Sequence, residues 1–257
     1  MTNLIGLRVL NTRPVAQAKI LSLELKAAGA MVFECPALEI KPLHRSWVNN
    51  LPKLEQVTKA IFISANAVKY CFEGFEQFKK NLPTTIQIIA IGEATAAALK
   101  YYGHLAALIP SKADSENLLN FNALKSVQLE NILLFKGEGG RTLIAETLSA
   151  RGAIVHSIEV YRRLLPNCDP KEFACLWRNE SVDIILFTSQ QAMSNLFKLF
   201  GEEAHAWLCR TPCLVISERL AIEASLLGIK TIIVSHPKKI LIRLHQFNQG
   251  LIHGQYE

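Results

Sequence analysis

The sequence predicts an α/β protein made of two similar parallel-sheet domains, and two observations carry that prediction. Short runs rich in Val and Ile alternate with stretches of helical period, the rhythm of parallel strands whose faces are covered by helices. The same series of segments then comes twice. RVLNTRP, starting at Arg8, matches NILLFKG, starting at Asn131, and Gly29-Ala30-Met31-Val32 matches Gly152-Ala153-Ile154-Val155. FISANAV (Phe62–Val68) matches FTSQQAM (Phe187–Met193), and Ala90-Ile91-Gly92-Glu93 matches Val215-Ile216-Ser217-Glu218. The offsets all lie between 123 (8 to 131) and 125 (62 to 187), and a constant offset across four matches points to duplication. Each copy has room for about five strands.

Taken in order, residues 7–10 read as a strand and 16–28 as a helix that ends at Gly29. Residues 60–64, 86–91 and 105–109 read as strands, with helices over 66–78 and 93–102 between them. A strand over 132–135 follows, then a helix to residue 151, then strands over 184–188, 214–216 and 232–234. Two further stretches look extended, 34–42 and 156–165. Leu38 and Ile40 alternate with Glu39 and Lys41 in the first, and Ile158 and Val160 with Glu159 and Tyr161 in the second. That is the pattern of half-buried strands.

Half of the 257 residues are hydrophobic, enough for one large domain or two modest ones. The formal charge is +6, but the basic residues do not cluster. The densest run, Pro237-Lys238-Lys239-Ile240-Leu241-Ile242-Arg243, has an apolar interior. Without a basic stripe or a known module, a nucleic-acid partner is not expected, and a positive field suits a small polyanion instead. Arg8, Arg13 and Lys19 interrupt any apolar core near the N-terminus, and no apolar run approaches the ~18–20 residues that cross a bilayer. A cytoplasmic protein with no membrane partner is the expectation. Cys35, Cys71, Cys168, Cys175, Cys209 and Cys213 form no C-x-x-C pair and read as buried reduced thiols. The seven histidines show no H-x-H or H-x-x-x-H spacing, so no metal is expected.

Two kinds of motif bear on chemistry. Lys136-Gly137-Glu138-Gly139-Gly140-Arg141 lies between a strand and a helix, where helix N-termini bind anions. It is not a P-loop. It half-resembles a dinucleotide motif, with Glu159 near the ribose position, but Thr142 stands in place of the third glycine. An anion-binding loop for a carboxylate fits better, and a glycine-rich turn with no ligand is the plainer alternative. Ser64-Ala65-Asn66, Gly92-Glu93-Ala94-Thr95, Thr188-Ser189-Gln190 and Ile216-Ser217-Glu218 each stand where a strand hands over to a helix. Ordinary N-capping accounts for such residues. Ligands of open parallel sheets also bind at these strand ends. No nucleophile elbow, no cysteine with a histidine partner in sequence and no paired carboxylates are present. From residues alone, the chain is a two-domain α/β protein that binds an anionic small molecule.

VLNTRP, FISANAV, IAIGEATAAAL, DSENLL (Asp114–Leu119), KGEGGRTLIAETLSARGA, VYRR (Val160–Arg163), ILFTSQQAM and LVISERLAIEA together resemble the uroporphyrinogen-III synthase family. The likeness runs over residues 7–234, and it is the order and spacing of the motifs that is specific. The resemblance implies two flavodoxin-like domains joined by a two-stranded antiparallel linker. One domain takes residues 1–34 and 166–257, the other 43–155, and 35–42 and 156–165 are the linker strands. The active site is then the cleft between the domains.

The implied substrate is hydroxymethylbilane, a linear tetrapyrrole that closes with loss of water and inversion of its last ring through a spiro intermediate. No cofactor or metal is implied. The resemblance further implies a monomer that makes at most transient contact with the preceding pathway enzyme. Tyr161 matches the family's tyrosine of the second linker strand and is the implied catalytic residue. The implied substrate-binding set is Arg13, Ser64, Asn66, Thr95, Lys136, Gly137, Arg141, Thr188, Ser189 and Ser217. Lys136 stands where an arginine is common, and Ser217-Glu218-Arg219-Leu220 replaces the usual glycine-led turn. The rival readings are a non-catalytic two-lobed binding protein for an anionic small molecule and a two-domain glycosyltransferase.

Overall fold

The structure is a computed structural model that describes residues 2–167 and 169–252. Cys168, counted above among the thiols, and His253, counted among the histidines, lie outside the described residues. In chain order the elements begin β1 (Arg8–Asn11), α1 (Val15–Ala27), β2 (Met31–Glu34), β3 (Glu39–Pro42), β4 (Val57–Phe62), α2 (Ala65–Gln77), β5 (Gln87–Ala90) and α3 (Glu93–Tyr101). Next come α4 (Ser115–Leu119), α5 (Asn122–Lys125), β6 (Asn131–Gly137), α6 (Leu143–Ala150), β7 (Ile154–Leu164) and α7 (Pro170–Arg178). The chain continues with β8 (Ile184–Phe187), α8 (Gln190–Phe200), α9 (His205–Arg210), β9 (Cys213–Val215), α10 (Glu218–Leu226), β10 (Ile232–Val234) and α11 (Ile240–Ile252). The strands make two sheets of five, the α/β architecture that the alternation predicts. Among the described residues no helix is long and apolar enough to cross a membrane.

The apolar runs become strands because both faces of each sheet are covered. In β8, Ile185 and Phe187 join one cluster of buried side chains while Ile184 and Leu186 join another. In β6, Leu133 and Phe135 face one way, Ile132 and Leu134 the other. A run that is apolar at every position therefore finds a helix layer on either side. Each such side chain contributes about 1.5–3 kcal/mol by leaving water.

One compact unit comprises Met1–Glu39 and Leu164–Glu257. Its strand order is β10-β9-β8-β1-β2, all parallel. β1 sits between β2 (Arg8↔Met31) and β8 (Val9↔Ile184). Arg8 and Asp183 fasten the second pairing. The Arg8 amide donates to Asp183 Oδ2 at 2.7 Å, the guanidinium to Oδ1 at 2.6 Å, and the Asp183 amide to the Arg8 carbonyl at 2.9 Å. Residues 35–38, expected to start a linker strand, are not strand. The amides of Cys35 and Ala37 donate to the carbonyls of Asn11 and Thr12, each at 3.0 Å, and Cys35, Ala37 and Leu38 are buried in the core. The buried Asn195 donates to the Ala37 carbonyl at 2.8 Å. Packing of this segment against the end of β1 and α8 outweighs its alternating pattern.

The other unit is Ile40–Arg163, with strand order β3-β7-β6-β4-β5. β4 runs parallel to β5 and β6, and β6 parallel to β7. The stretch 156–165, expected as a linker strand, falls in β7, which pairs with β6 as far as Tyr161 and so serves as a full strand of this sheet. The strand expected over 105–109 shrinks to one bridge, Ile89↔Leu108. Leu105 is 77% exposed, so that run does not present a continuous apolar edge to pair.

The thiols divide by burial. Cys35, Cys71 and Cys213 are buried as expected, but Cys175 is exposed on α7 and Cys209 is partly exposed on α9, which corrects the reading of all of them as buried. Burial holds the Cys71 thiol well above its ordinary value and pushes Cys213 up to about 12. Since the thiolate is the reacting form, iodoacetamide at about pH 8 should label Cys175 in the native protein and reach Cys71 and Cys213 only after unfolding. Peptide mapping checks this; labelling of Cys213 as fast as Cys175 would contradict the burial.

Candidate functional site

In a parallel sheet every strand ends at one edge, and the helix N-termini gather there. Within Ile40–Arg163 that edge carries Ser64 after β4, Gly92 after β5 and Gly137 at the end of β6. Ser64, extended at φ −168° and ψ 158°, caps α2 by accepting from the Ala67 amide at 3.0 Å. Asn66 lies half-buried in the first turn of the same helix. Thr95 is buried at 3% exposure inside α3. Gly92 allows a close crossing, because a Cβ there would stand 2.6 Å from the Ala113 Cβ.

Ser64 meets Tyr161. Ser64 Oγ and the phenol oxygen are 3.1 Å apart, and either can donate. The Arg163 guanidinium donates to the same phenol oxygen at 2.9 Å and lies over the ring, 5.3 Å from its centroid. The Tyr70 ring lies 6.0 Å away, its hydroxyl donating to the Ile40 carbonyl at 3.1 Å. Burial first, then the neighbouring Glu73 and Tyr161, hold the Tyr70 phenol above its ordinary value and keep it a neutral donor.

An irregularity aims Tyr161. β6 and β7 pair one to one from Asn131↔Ile154 to Lys136↔Glu159, then shift so that Gly137 faces Tyr161 and Val160 is left over. Val160 and Tyr161 are consequently both buried, at 1% each, where strict alternation would turn one outward. The sequence pattern groups Tyr161 with polar Glu159; the bulge turns it inward. Gly137 makes room for the ring by lacking a side chain: a Cβ would lie 2.6 Å from Tyr161 Cζ and 3.0 Å from its oxygen.

The glycine-rich loop is shorter than its sequence suggests. Lys136 belongs to β6 and is 8% exposed. Gly139 and Gly140 take φ of 66° and 80°, open to glycine at little cost. The Gly139 amide donates to Glu159 Oε1 at 3.1 Å, so the chain's own carboxylate holds one loop donor. Arg141 is exposed and pairs with Glu116 at 3.3 Å.

The unit of Met1–Glu39 and Leu164–Glu257 has a strand-end edge of its own. Thr12 donates to the Leu186 carbonyl at 2.6 Å and fixes the turn after β1. The next residue, Arg13, has its Nε buried without a hydrogen-bond partner, and burial lowers its guanidinium from the ordinary value, though an arginine stays charged. α1 starts behind Pro14 with no side-chain cap. A partly buried cation beside an uncapped helix start suits a carboxylate. Ser189 and Ser217 cap α8 and α10, accepting from Ala192 at 3.1 Å and Leu220 at 3.3 Å, with Thr188 half-buried beside the first. Glu218 and Arg219 are both exposed.

Two participants were not singled out from sequence. Arg163 stands two residues beyond Tyr161, a spacing that puts both on one side of a strand. Tyr70 follows α2's apolar period and reads as core. Among the described residues, no group of three or more His, Cys, Asp or Glu stands together to hold a metal.

A family model described as uroporphyrinogen-III synthase HemD matches residues 20–240. The uroporphyrinogen-III synthases of Salmonella typhimurium and Escherichia coli are each 31% identical to the chain over 224 residues, covering 86% of it and 91% of their own length. A mutant uroporphyrinogen III synthase from Thermus thermophilus, 17% identical, shares the fold with a TM-score of 0.69 over 96% of this chain and 100% of its own.

The fit of Tyr161 against Gly137 is open to test. Gly137→Ala should cost about 1–3 kcal/mol in urea unfolding, because ring and Cβ cannot both keep their places. Most of that cost should vanish in a Tyr161→Leu background. An equal cost in both backgrounds would mean that the glycine serves something other than the ring.

Proposed function

The chain belongs to the uroporphyrinogen-III synthase family and is a hydro-lyase of that kind; we propose that hydroxymethylbilane is its substrate and that Tyr161 assists the departure of the bilane's hydroxyl. The observation that carries this reading is the convergence of the Tyr161 hydroxyl, Ser64 Oγ and an Arg163 N–H at one strand-end edge. As the carbon–oxygen bond breaks, the phenol hydrogen goes to the departing hydroxyl, which leaves as water. The azafulvene cation left behind is attacked by the substituted carbon of the last ring, and the spiro intermediate fragments and recloses. The proton lost in the final closure restores the phenol. A phenol hydroxyl, held by two hydrogen-bond partners, is suited to hydrogen-bond donation in such a step.

The remaining work is holding. The bilane carries eight carboxylates, and a guanidinium whose buried Nε lacks a hydrogen-bond partner and helix N-termini are suitable anchors for them. We assign Arg13, with the uncapped start of α1, to a substrate carboxylate. Ser64, Asn66, Thr188, Ser189 and Ser217 sit at helix starts where further carboxylates would meet backbone N–H groups. Thr95, Lys136 and Gly137 act from beneath the surface, since all three are buried. Arg141 would exchange Glu116 for substrate. The buried thiols Cys71 and Cys213 suit a reducing, cytoplasmic setting.

Incubation with hydroxymethylbilane, followed by oxidation and separation of the porphyrin isomers, tests the activity. Isomer III is expected in excess over the isomer I that forms unaided; isomer I alone would favour a binding protein. Tyr161→Phe should lose ~10- to 100-fold in rate. Ser64→Ala and Ser189→Ala should lose less, because the helix amides remain. Arg13→Ala should raise KM more than it lowers kcat, and added salt should weaken substrate binding in the parent protein. A parent-like Tyr161→Phe beside an inactive Ser64→Ala would move the chemistry to the strand end.

A further inference from the structure

We propose that Arg163 is a positioning residue for the reaction, holding the Tyr161 phenol so that its hydrogen is offered outward and stabilising the oxygen once that hydrogen is given. The inference rests on the assignment of Tyr161 above. A guanidinium only donates, so the 2.9 Å contact from Arg163 occupies a lone pair of the phenol oxygen and never competes for its hydrogen. Ser64 Oγ, 3.1 Å away, already accepts from the Ala67 amide. The phenol therefore sits between a fixed donor and a hydroxyl that is itself partly committed, and its hydrogen is the transferable one.

Geometry fixes the ring as well as the oxygen. The guanidinium carbon lies 5.3 Å from the ring centroid, on a ring that Gly137 touches and that is 1% exposed. Both arginines are exposed, but strand alternation puts Arg163 on the same side of β7 as Tyr161 and Arg162, between them, on the other. When the phenol hydrogen passes to the departing hydroxyl, negative charge gathers on the oxygen that Arg163 already contacts. A donor in place beforehand meets that charge without reorganisation. The proton released at ring closure returns to the same oxygen, so the phenol is regenerated and atoms balance.

The test is a cycle of the parent, Arg163→Gln, Tyr161→Phe and the double variant, with Arg163→Lys and Arg162→Gln alongside and folding checked by circular dichroism. Arg163→Gln is expected to lower kcat about tenfold or more with KM within about twofold. Arg163→Lys should recover part of the loss, also serving if the Gln variant folds poorly, and Arg162→Gln should match the parent. In the Tyr161→Phe background, adding Arg163→Gln should change kcat by less than about twofold, because the group it acts through is gone. A raised KM with unchanged kcat would make Arg163 a carboxylate anchor and overturn the proposal. So would an equal loss in both backgrounds, which marks a structural role. A slow Tyr161→Phe beside a parent-like Arg163→Gln overturns the arginine's role alone, whereas a parent-like Tyr161→Phe overturns the tyrosine's role and the arginine's with it.

Discussion

The unit containing both chain ends depends on β1 finding β8. Paired residues of the two strands, such as Leu10 and Ile185, lie 175 positions apart in the chain (185 less 10). Without that pairing, β1 and β2 would be a two-stranded ribbon with one helix, too small to bury Leu7, Val9 and Leu10, which are fully buried here. Loop-closure entropy opposes so distant a contact, but the cost grows only with the logarithm of the loop length. The Arg8–Asp183 bonds stand at the start of the ladder, and the apolar faces of β8 supply the larger share. Since the Arg8 side chain is 40% exposed, its ion pair fixes register more than it adds stability.

That pairing explains why a repeat in the sequence is not a unit in space. β1 and β2 come from the first copy and lie beside β8 and β9 from the second, in the order β9-β8-β1-β2. The equivalents β4 and β5 from the first copy lie beside β6 and β7 from the second, in the order β5-β4-β6-β7. The matches RVLNTRP/NILLFKG and FISANAV/FTSQQAM therefore mark the same two places in both sheets, β1 with β6 and β4 with β8. Alternation and repeat were enough to read an α/β fold with about five strands per sheet. They were not enough to say which edge each copy would use, because period and composition are silent about partners. The segment at 35–38 shows the same limit. Its alternation reads as strand, yet contacts with the end of β1 and with Asn195 decide its shape.

The candidate site was legible to different depths. Serines at strand ends announce helix caps by type and place, and Ser64, Ser189 and Ser217 all accept from the residue three further on. The inward turn of Tyr161 was not legible, because it follows from one leftover residue, Val160, between Glu159 and Tyr161, and a period-two pattern carries no sign of a bulge. Nor does a glycine-rich run disclose its purpose. Gly137 reads as part of an anion loop, but its lack of a side chain serves the Tyr161 ring, while the loop amide at Gly139 already meets Glu159.

Ser64 is where holding the fold and the proposed chemistry come together. One face of its hydroxyl holds the start of α2 through the Ala67 amide, and the other touches Tyr161. Ser189 and Ser217 make the first kind of contact, to Ala192 and Leu220. An enzyme whose main task is to hold a polyanion needs many donors and few acids, and helix starts supply donors that the fold must satisfy anyway. Specialisation then requires little: a bulge to turn one phenol inward, a glycine to admit it and a cation to steady its oxygen. These three sit on two adjacent strands of one unit, so the part of the site proposed to carry the acid is fixed by the β6–β7 ladder.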